Sequence, residues 1–112
     1  MNNNDAFQKK ELFDGMTIDV EGNLWVAIFN GGRIICLDNK TGSQLDQIEM
    51  PTSLITSVCF GGSELKEMYA TSCKKFLSEE EQKAQPEAGK IFRITSPNNS
   101  KFRGLKPNYN FQ

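Results

Sequence analysis

From residue 12 onward, short runs of alternating apolar and polar residues are each closed by Gly, Asn or Pro. Residues 16–20 form one run, ended by Glu21-Gly22-Asn23. Residues 23–29, NLWVAIF, are rich in aromatic and β-branched side chains and end at Asn30-Gly31-Gly32. RIICLD, 33–38, ends at the turn residues 39–42. SQLDQIEM, 43–50, sets Leu45, Ile48 and Met50 among polar residues and stops at Pro51. A period near two with tight Gly and Asn turns predicts four antiparallel strands joined as a meander.

The pattern then restarts. ITSVCFGG (55–62) resembles GMTIDVEG (15–22) at an offset of 40, that is 55 minus 15. EMYATS (67–72) resembles LWVAIF (24–29), and GKIFRIT (89–95) resembles GRIICLD (32–38). The chain therefore holds about one and three-quarter copies of a four-strand unit, with the period of a propeller blade. The second copy carries an insertion between its second and third strands. There Ser78 and Glu81 have the spacing of a capping box, which predicts a short helix that Pro86 stops. No fourth strand is legible in the second copy, and residues 96–112 read as loop and tail. A sheet stack that ends early exposes apolar surface and strand edges, so self-association through open blade edges is expected.

At 112 residues the chain suffices for one small domain, and 38% hydrophobic with 24% charged residues is ordinary for a globular one. The net charge of -1 gives no bulk attraction to nucleic acid or anionic membrane, and neither is an expected partner. No apolar run approaches the roughly 20 residues of a membrane span, and residues 1–13 lack the apolar core of a secretory leader. Cys36, Cys59 and Cys73 are expected as reduced, buried thiols. With no Cys-x-x-Cys pair and no His, zinc of the finger type and His-based nucleophilic catalysis both fall away. Catalysis would have to rest on carboxylates, amides, Lys, Tyr or a metal held through oxygen.

The stretch DGMTIDVEGNLWVAIFNGGRIICLD (14–38), followed by TSVCFGG, EMYATS and QPEAGKIFRI, resembles the C-terminal part of the regucalcin and gluconolactonase family, which includes luciferin-regenerating-enzyme-like proteins. The resemblance covers roughly residues 12–109. It implies an all-β fold, a partial six-bladed β-propeller of about two four-stranded antiparallel blades with a short helix in an insertion. It implies a disordered arm over 1–11, a first blade over 12–51, and a second, incomplete blade with the helix and a tail over 52–112. The four preceding blades have no counterpart here, so a C-terminal fragment inactive by itself is expected. A non-catalytic calcium-binding or interaction module, a truncated isoform or a gene-model fragment, is the alternative.

The resemblance also implies chemistry. Family members open sugar lactones such as gluconolactone around one divalent cation (calcium, zinc, manganese or magnesium). The Asp of their DGM motif, matched by Asp14, ligates the metal and serves as the base that activates water. The residue before that Asp is usually Pro in the family and is Phe13 here. The remaining ligands and the residues that hold the sugar have no match. A cytoplasmic location is implied, with the nucleus as a second.

Plainer readings stand beside these. Asp-Gly is a common turn pair, so Asp14 taken alone reads as an Asx turn. Asp19, Glu21 and Asn23 fail the EF-hand spacing and read as a solvated hairpin turn. Trp25 and Tyr69 read as equivalent positions in blade packing, and Cys59 as core filler. The acidic stretch at 78–85 reads as a solvated face. Asn98-Asn99-Ser100 fits a glycosylation sequon but reads as a polar turn. Lys101, Arg103 and Lys106 are too scattered for a nucleic-acid surface.

Overall fold

The computed structural model describes residues 10–95 and 102–105. The first sheet holds β1 (Leu12–Ile18), β2 (Leu24–Phe29), β3 (Arg33–Leu37) and β4 (Gln44–Glu49), each antiparallel to its neighbour in sequence. The second holds β5 (Ile55–Gly61), β6 (Glu67–Ser72) and β7 (Ile91–Thr95). EMYATS and the other three strands of the meander thus appear where the alternation places them, but the first strand runs over Leu12–Ile18 rather than 16–20. The chain is all-β apart from a single short helix among the described residues, α1 (Glu79–Ala84). Its Ser78 Oγ accepts from Glu81 N at 3.1 Å, and Glu81 Oε1 accepts from Ser78 N at 3.0 Å, closing the capping box. The acidic face of α1 is exposed, as its composition suggests.

The register explains which side chains meet. Trp25 faces Cys36 and Ala27 faces Ile34, so β2 and β3 present one apolar face. Val58 faces Ala70, which faces Phe92, and Phe60 faces Met68, which faces Ile94. These two faces meet in a core formed by Trp25, Ala27, Ile34 and Cys36 with Ile55, Val58, Met68 and Ala70. The opposite face of the first sheet buries Val26, Ile28 and Ile35 with Leu24 and Leu37 beside them. A strand buried on both faces is continuously apolar, and this accounts for the unbroken LWVAIF run.

Three sequence expectations change. Tyr69 lies on the opposite face of β6 from the core. Met68, wholly buried, is the counterpart of Trp25. The EMYATS and LWVAIF runs align Met68, not Tyr69, with Trp25, and the pleat does the rest. Cys59 is exposed rather than core, because it pairs with Tyr69 on that outward face. Cys36 is buried and Cys73 half-buried.

The third change lies at the C-terminal side. Phe102 is 2% exposed and packs edge-on against Trp25 (centroids 5.4 Å) and Phe60 (5.5 Å). Arg103 O accepts from Val20 N at 2.7 Å, and Gly104 N donates to Leu65 O at 2.8 Å. Residues 102–105 therefore clasp the turn of the first sheet to the turn of the second. They are neither loop nor tail in the energetic sense. A methyl group on Gly104 would lie 2.3 Å from Phe60 Cβ, so only glycine fits the crossing. The sequon at 98–100, with Lys101 and Lys106, lies outside the described residues, and Arg103 is exposed.

Candidate functional site

Asp14 does not sit in a turn. Phe13 pairs with Ile28 and Met16 with Val26, so Asp14 and Gly15 together oppose Ala27. Two residues against one is a β-bulge, which kinks the strand and redirects side chains. Gly15 allows this strand to approach β5 closely. A methyl group on it would lie 2.8 Å from the Cα and Cβ of Ser57. The first strands of the two sheets are thereby brought side by side at the DG step.

Asp14 is exposed there, and no ion pair or hydrogen bond to its carboxylate is found among the described residues. It is one of the residues lining an open cleft of about 380 Å³. The walls are Leu12 and Phe13 from β1, Phe29 from β2, and Phe76 from the insertion. Phe29 and Phe76 meet edge to face at 6.3 Å, and the Lys75 ammonium lies 5.8 Å from the Phe76 ring centre. Thr56 and Cys73 complete the lining. The Thr56 hydroxyl is shared with that of Thr71 at 2.7 Å, and Cys73 Sγ accepts from Lys75 N at 3.4 Å. The offset repeat could have pointed to β5 beside β1; nothing in the sequence pointed to Phe76.

A carboxylate so placed can accept a proton or give one oxygen ligand to a cation. It does not make a cation site alone, since calcium takes about 6–8 oxygen ligands. Among the described residues no group of three His, Cys, Asp or Glu is arranged to hold a metal ion.

A second acid behaves quite differently. Asp19, read from sequence as part of a solvated turn, is 2% exposed. Its Oδ1 accepts from Glu21 N (2.9 Å) and Asn23 N (3.0 Å), and its Oδ2 accepts from the Trp25 indole N–H at 3.0 Å. It is the polar anchor of the core, with its valences filled by turn amides and the indole. Glu21 and Asn23 contribute backbone, as the turn reading holds, and Asn23 is half-buried.

The outward face of the second sheet carries another network. Glu67 accepts from Tyr69 Oη at 2.7 Å and from Arg93 Nε at 3.0 Å. These bonds, the Tyr69 hydroxyl first, hold the Glu67 carboxyl below the usual carboxylate range, and the bond to Glu67, with burial, raises the Tyr69 phenol. A more polar hollow lies between Asn30, Glu49 and Gln85. There Gln85 Oε1 accepts from Thr52 Oγ1, Ser53 N and Ser53 Oγ at 2.8–3.1 Å, tying the end of α1 to the linker between the sheets.

Comparison with known proteins is consistent with this architecture. Regucalcin of Bos taurus is 49% identical over 88 residues, which are 79% of this chain and 29% of that protein. Human regucalcin is 48% identical over the same extent. The chain thus spans under a third of the length of these curated relatives. The solved structure of regucalcin from Agrobacterium tumefaciens, a calcium-binding protein, superposes with a TM-score of 0.72 at 27% identity, covering 76% of this chain and 28% of that one. A luciferin-regenerating enzyme superposes at 0.70 and 37% identity, covering 91% and 34%. The SMP-30/Gluconolactonase/LRE-like region matches residues 2–74. That match takes in both the bulge at Asp14 and the anchor at Asp19, and with these relatives it makes the chain a member of the SMP-30/gluconolactonase/LRE-like family.

Proposed function

We propose that the chain carries the Asp14 portion of a lactone hydrolase of the regucalcin and gluconolactonase type. In full, that enzyme would be a six-bladed propeller to which residues 12–51 and 52–112 contribute two blades. The observation that carries the reading is the exposed Asp14, at a bulge and lining a cleft, in a chain of this family. One Asp14 oxygen takes a proton from water as the water oxygen adds to the lactone carbonyl carbon. The ring carbon–oxygen bond then breaks, and the departing ring oxygen takes the proton, leaving the open hydroxy acid. A sugar lactone such as gluconolactone is the substrate the resemblance implies.

Asp14 is also proposed as one ligand of a divalent cation, supported by the calcium-binding neighbour. The described residues do not fit such an ion by themselves, and no step is assigned to it. Because positioned groups supply most of the acceleration, the chain alone is expected to be inactive. Cytoplasmic residence is proposed with the same reading.

The test is a chimera in which this chain replaces the matching segment of a full-length relative. It should open gluconolactone, and Asp14→Asn should lower the rate about 100-fold or more. Equal rates in both chimeras would remove Asp14 from the mechanism.

A second reading, a non-catalytic calcium-binding or interaction module that self-associates, is favoured by the open edges. β7 has no partner on its outer side among the described residues, and Ile91 on it is 72% exposed. Along β1, Leu12, Phe13 and Met16 are exposed as well. Long apolar edges recruit further strands. Sedimentation should show mass rising with concentration, and a monomer at all concentrations would refute association.

A further inference from the structure

The turn between β2 and β3 makes two demands on its sequence, and both are local. Asn30 holds a φ of 69°, the left-handed region in which Gly is unstrained and Asn is among the best tolerated of the other residues. At position 31 a methyl group would lie 2.9 Å from Cβ of the buried Ile28 and nearer still to its Cγ2, so only Gly fits. The turn therefore carries Asn-Gly, and Asn30 is the sole Asn followed by Gly in the chain. That pair has a chemistry of its own. The amide carbon of an Asn side chain is open to attack by the backbone nitrogen of the next residue, and Gly leaves that nitrogen without a side chain to shield it.

The resting turn restrains this step. Gly31 N donates to Ile28 O at 3.0 Å, and the bond has to part before the nitrogen reaches Asn30 Cγ. Asn30 and Gly31 are half-buried and lie outside the two core clusters, so the turn can open while the sheet stays folded.

We infer that Asn30 is a site of spontaneous deamidation in the folded chain. Gly31 N bonds to Asn30 Cγ, the side-chain nitrogen departs as ammonia with the proton from Gly31 N, and a five-membered succinimide ring is left. Water then opens the ring at either carbonyl, giving aspartate or, with the backbone rerouted through the side chain, isoaspartate. Either product replaces an amide donor by a carboxylate. The donation from Asn30 Nδ2 to Lys10 O at 3.3 Å is lost, and a negative charge joins a turn flanked by Arg33, which pairs with Glu11 at 2.7 Å. The entry of β1 is thereby loosened from the β2–β3 turn. The site stands whether or not the chain forms part of a hydrolase.

The test follows the mass of the full chain. It is kept at mildly alkaline pH, folded in one arm and unfolded in guanidinium in the other, then cut with trypsin and read by fragmentation mass spectrometry. In peptide 11–33 Asn30 should gain one mass unit before Asn23 does, and before Asn39 in the next peptide. The gain should vanish in Asn30→Gly, which keeps the left-handed turn. The factor by which folding slows the gain should match, within a few-fold, the factor by which it slows hydrogen exchange of the Gly31 amide, since both need the same opening. Earlier conversion of Asn23 or Asn39, a gain that persists in Asn30→Gly, a folded chain that stays unconverted while the unfolded one converts, or a slowing unrelated to Gly31 exchange would overturn the inference.

Discussion

Replacing Asp19 by Ala is the sharpest probe of how this chain is held together. The carboxylate is 2% exposed and fills three donors, the amides of Glu21 and Asn23 and the indole N–H of Trp25. Hydrogen bonds to a charged acceptor contribute about 1.5–3 kcal/mol each, but a donor that regains water recovers part of this. The Glu21 and Asn23 amides lie at the partly buried turn and regain water readily. The Trp25 indole is sealed in the core and does not. The expected cost of Asp19→Ala is therefore about 3 kcal/mol, most of it from the stranded indole.

Asp19→Asn separates the contributions. The amide oxygen can still accept from the two turn amides, but its NH2 then faces the indole N–H, donor against donor, at a cost of about 1–2 kcal/mol. Adding Trp25→Phe to Asp19→Asn removes that clash, so the double-mutant cycle should show a coupling of about 1 kcal/mol or more. The assay is urea unfolding followed by far-ultraviolet circular dichroism, since Trp25 is the only Trp and its fluorescence is lost in the cycle. An Asp19→Ala change below about 0.5 kcal/mol, the level of a plain surface substitution, would refute the anchoring role.

Three further outcomes follow from the same geometry. Phe102→Ala should cost about 3–5 kcal/mol, as for a buried aromatic, and a loss near zero in urea unfolding would remove the clasp from the core. Alkylation at about pH 8, read by mass spectrometry, should modify Cys59 first. Cys36, whose thiol burial pushes up to about 11, should react only on unfolding. Acid should destabilise the fold. Glu67, held low by Tyr69 and Arg93, and Asp38, held low by the amides of Lys40 and Thr41, favour the charged form when folded. Their contribution is present above the ordinary carboxylate values of 4.5 and 3.8, and is lost as pH falls through the lower folded ones. A Tm that holds or rises below about pH 4 would contradict this.

The strands of this fold were legible because each is a local statement. EMYATS needs only its own alternation, and the helix at Glu79–Ala84 only its capping box. What escaped was set by partners distant in sequence. The alternation of β1 breaks at Asp14-Gly15, so the strand seemed to begin at Met16, and only pairing with β2 shows a bulge inside a strand from Leu12. Asp19 carries the polarity of a surface turn and is buried because Trp25 lies beside it. Phe102 follows a polar stretch with no periodicity to announce it. At the candidate site, Asp14 came from the motif, but Thr56, Cys73 and Phe76 reach it only through the packing of β5 against β1, which no local pattern encodes.

The clasp at residues 102–105 also dictates an order of events in folding. Each sheet can close its hairpins from near neighbours, yet the space between Trp25 and Phe60 is filled only when Phe102 arrives. Closing so long a loop is slow compared with forming a hairpin. During synthesis the gap beside Trp25 and Phe60 stays unfilled until Phe102 has emerged.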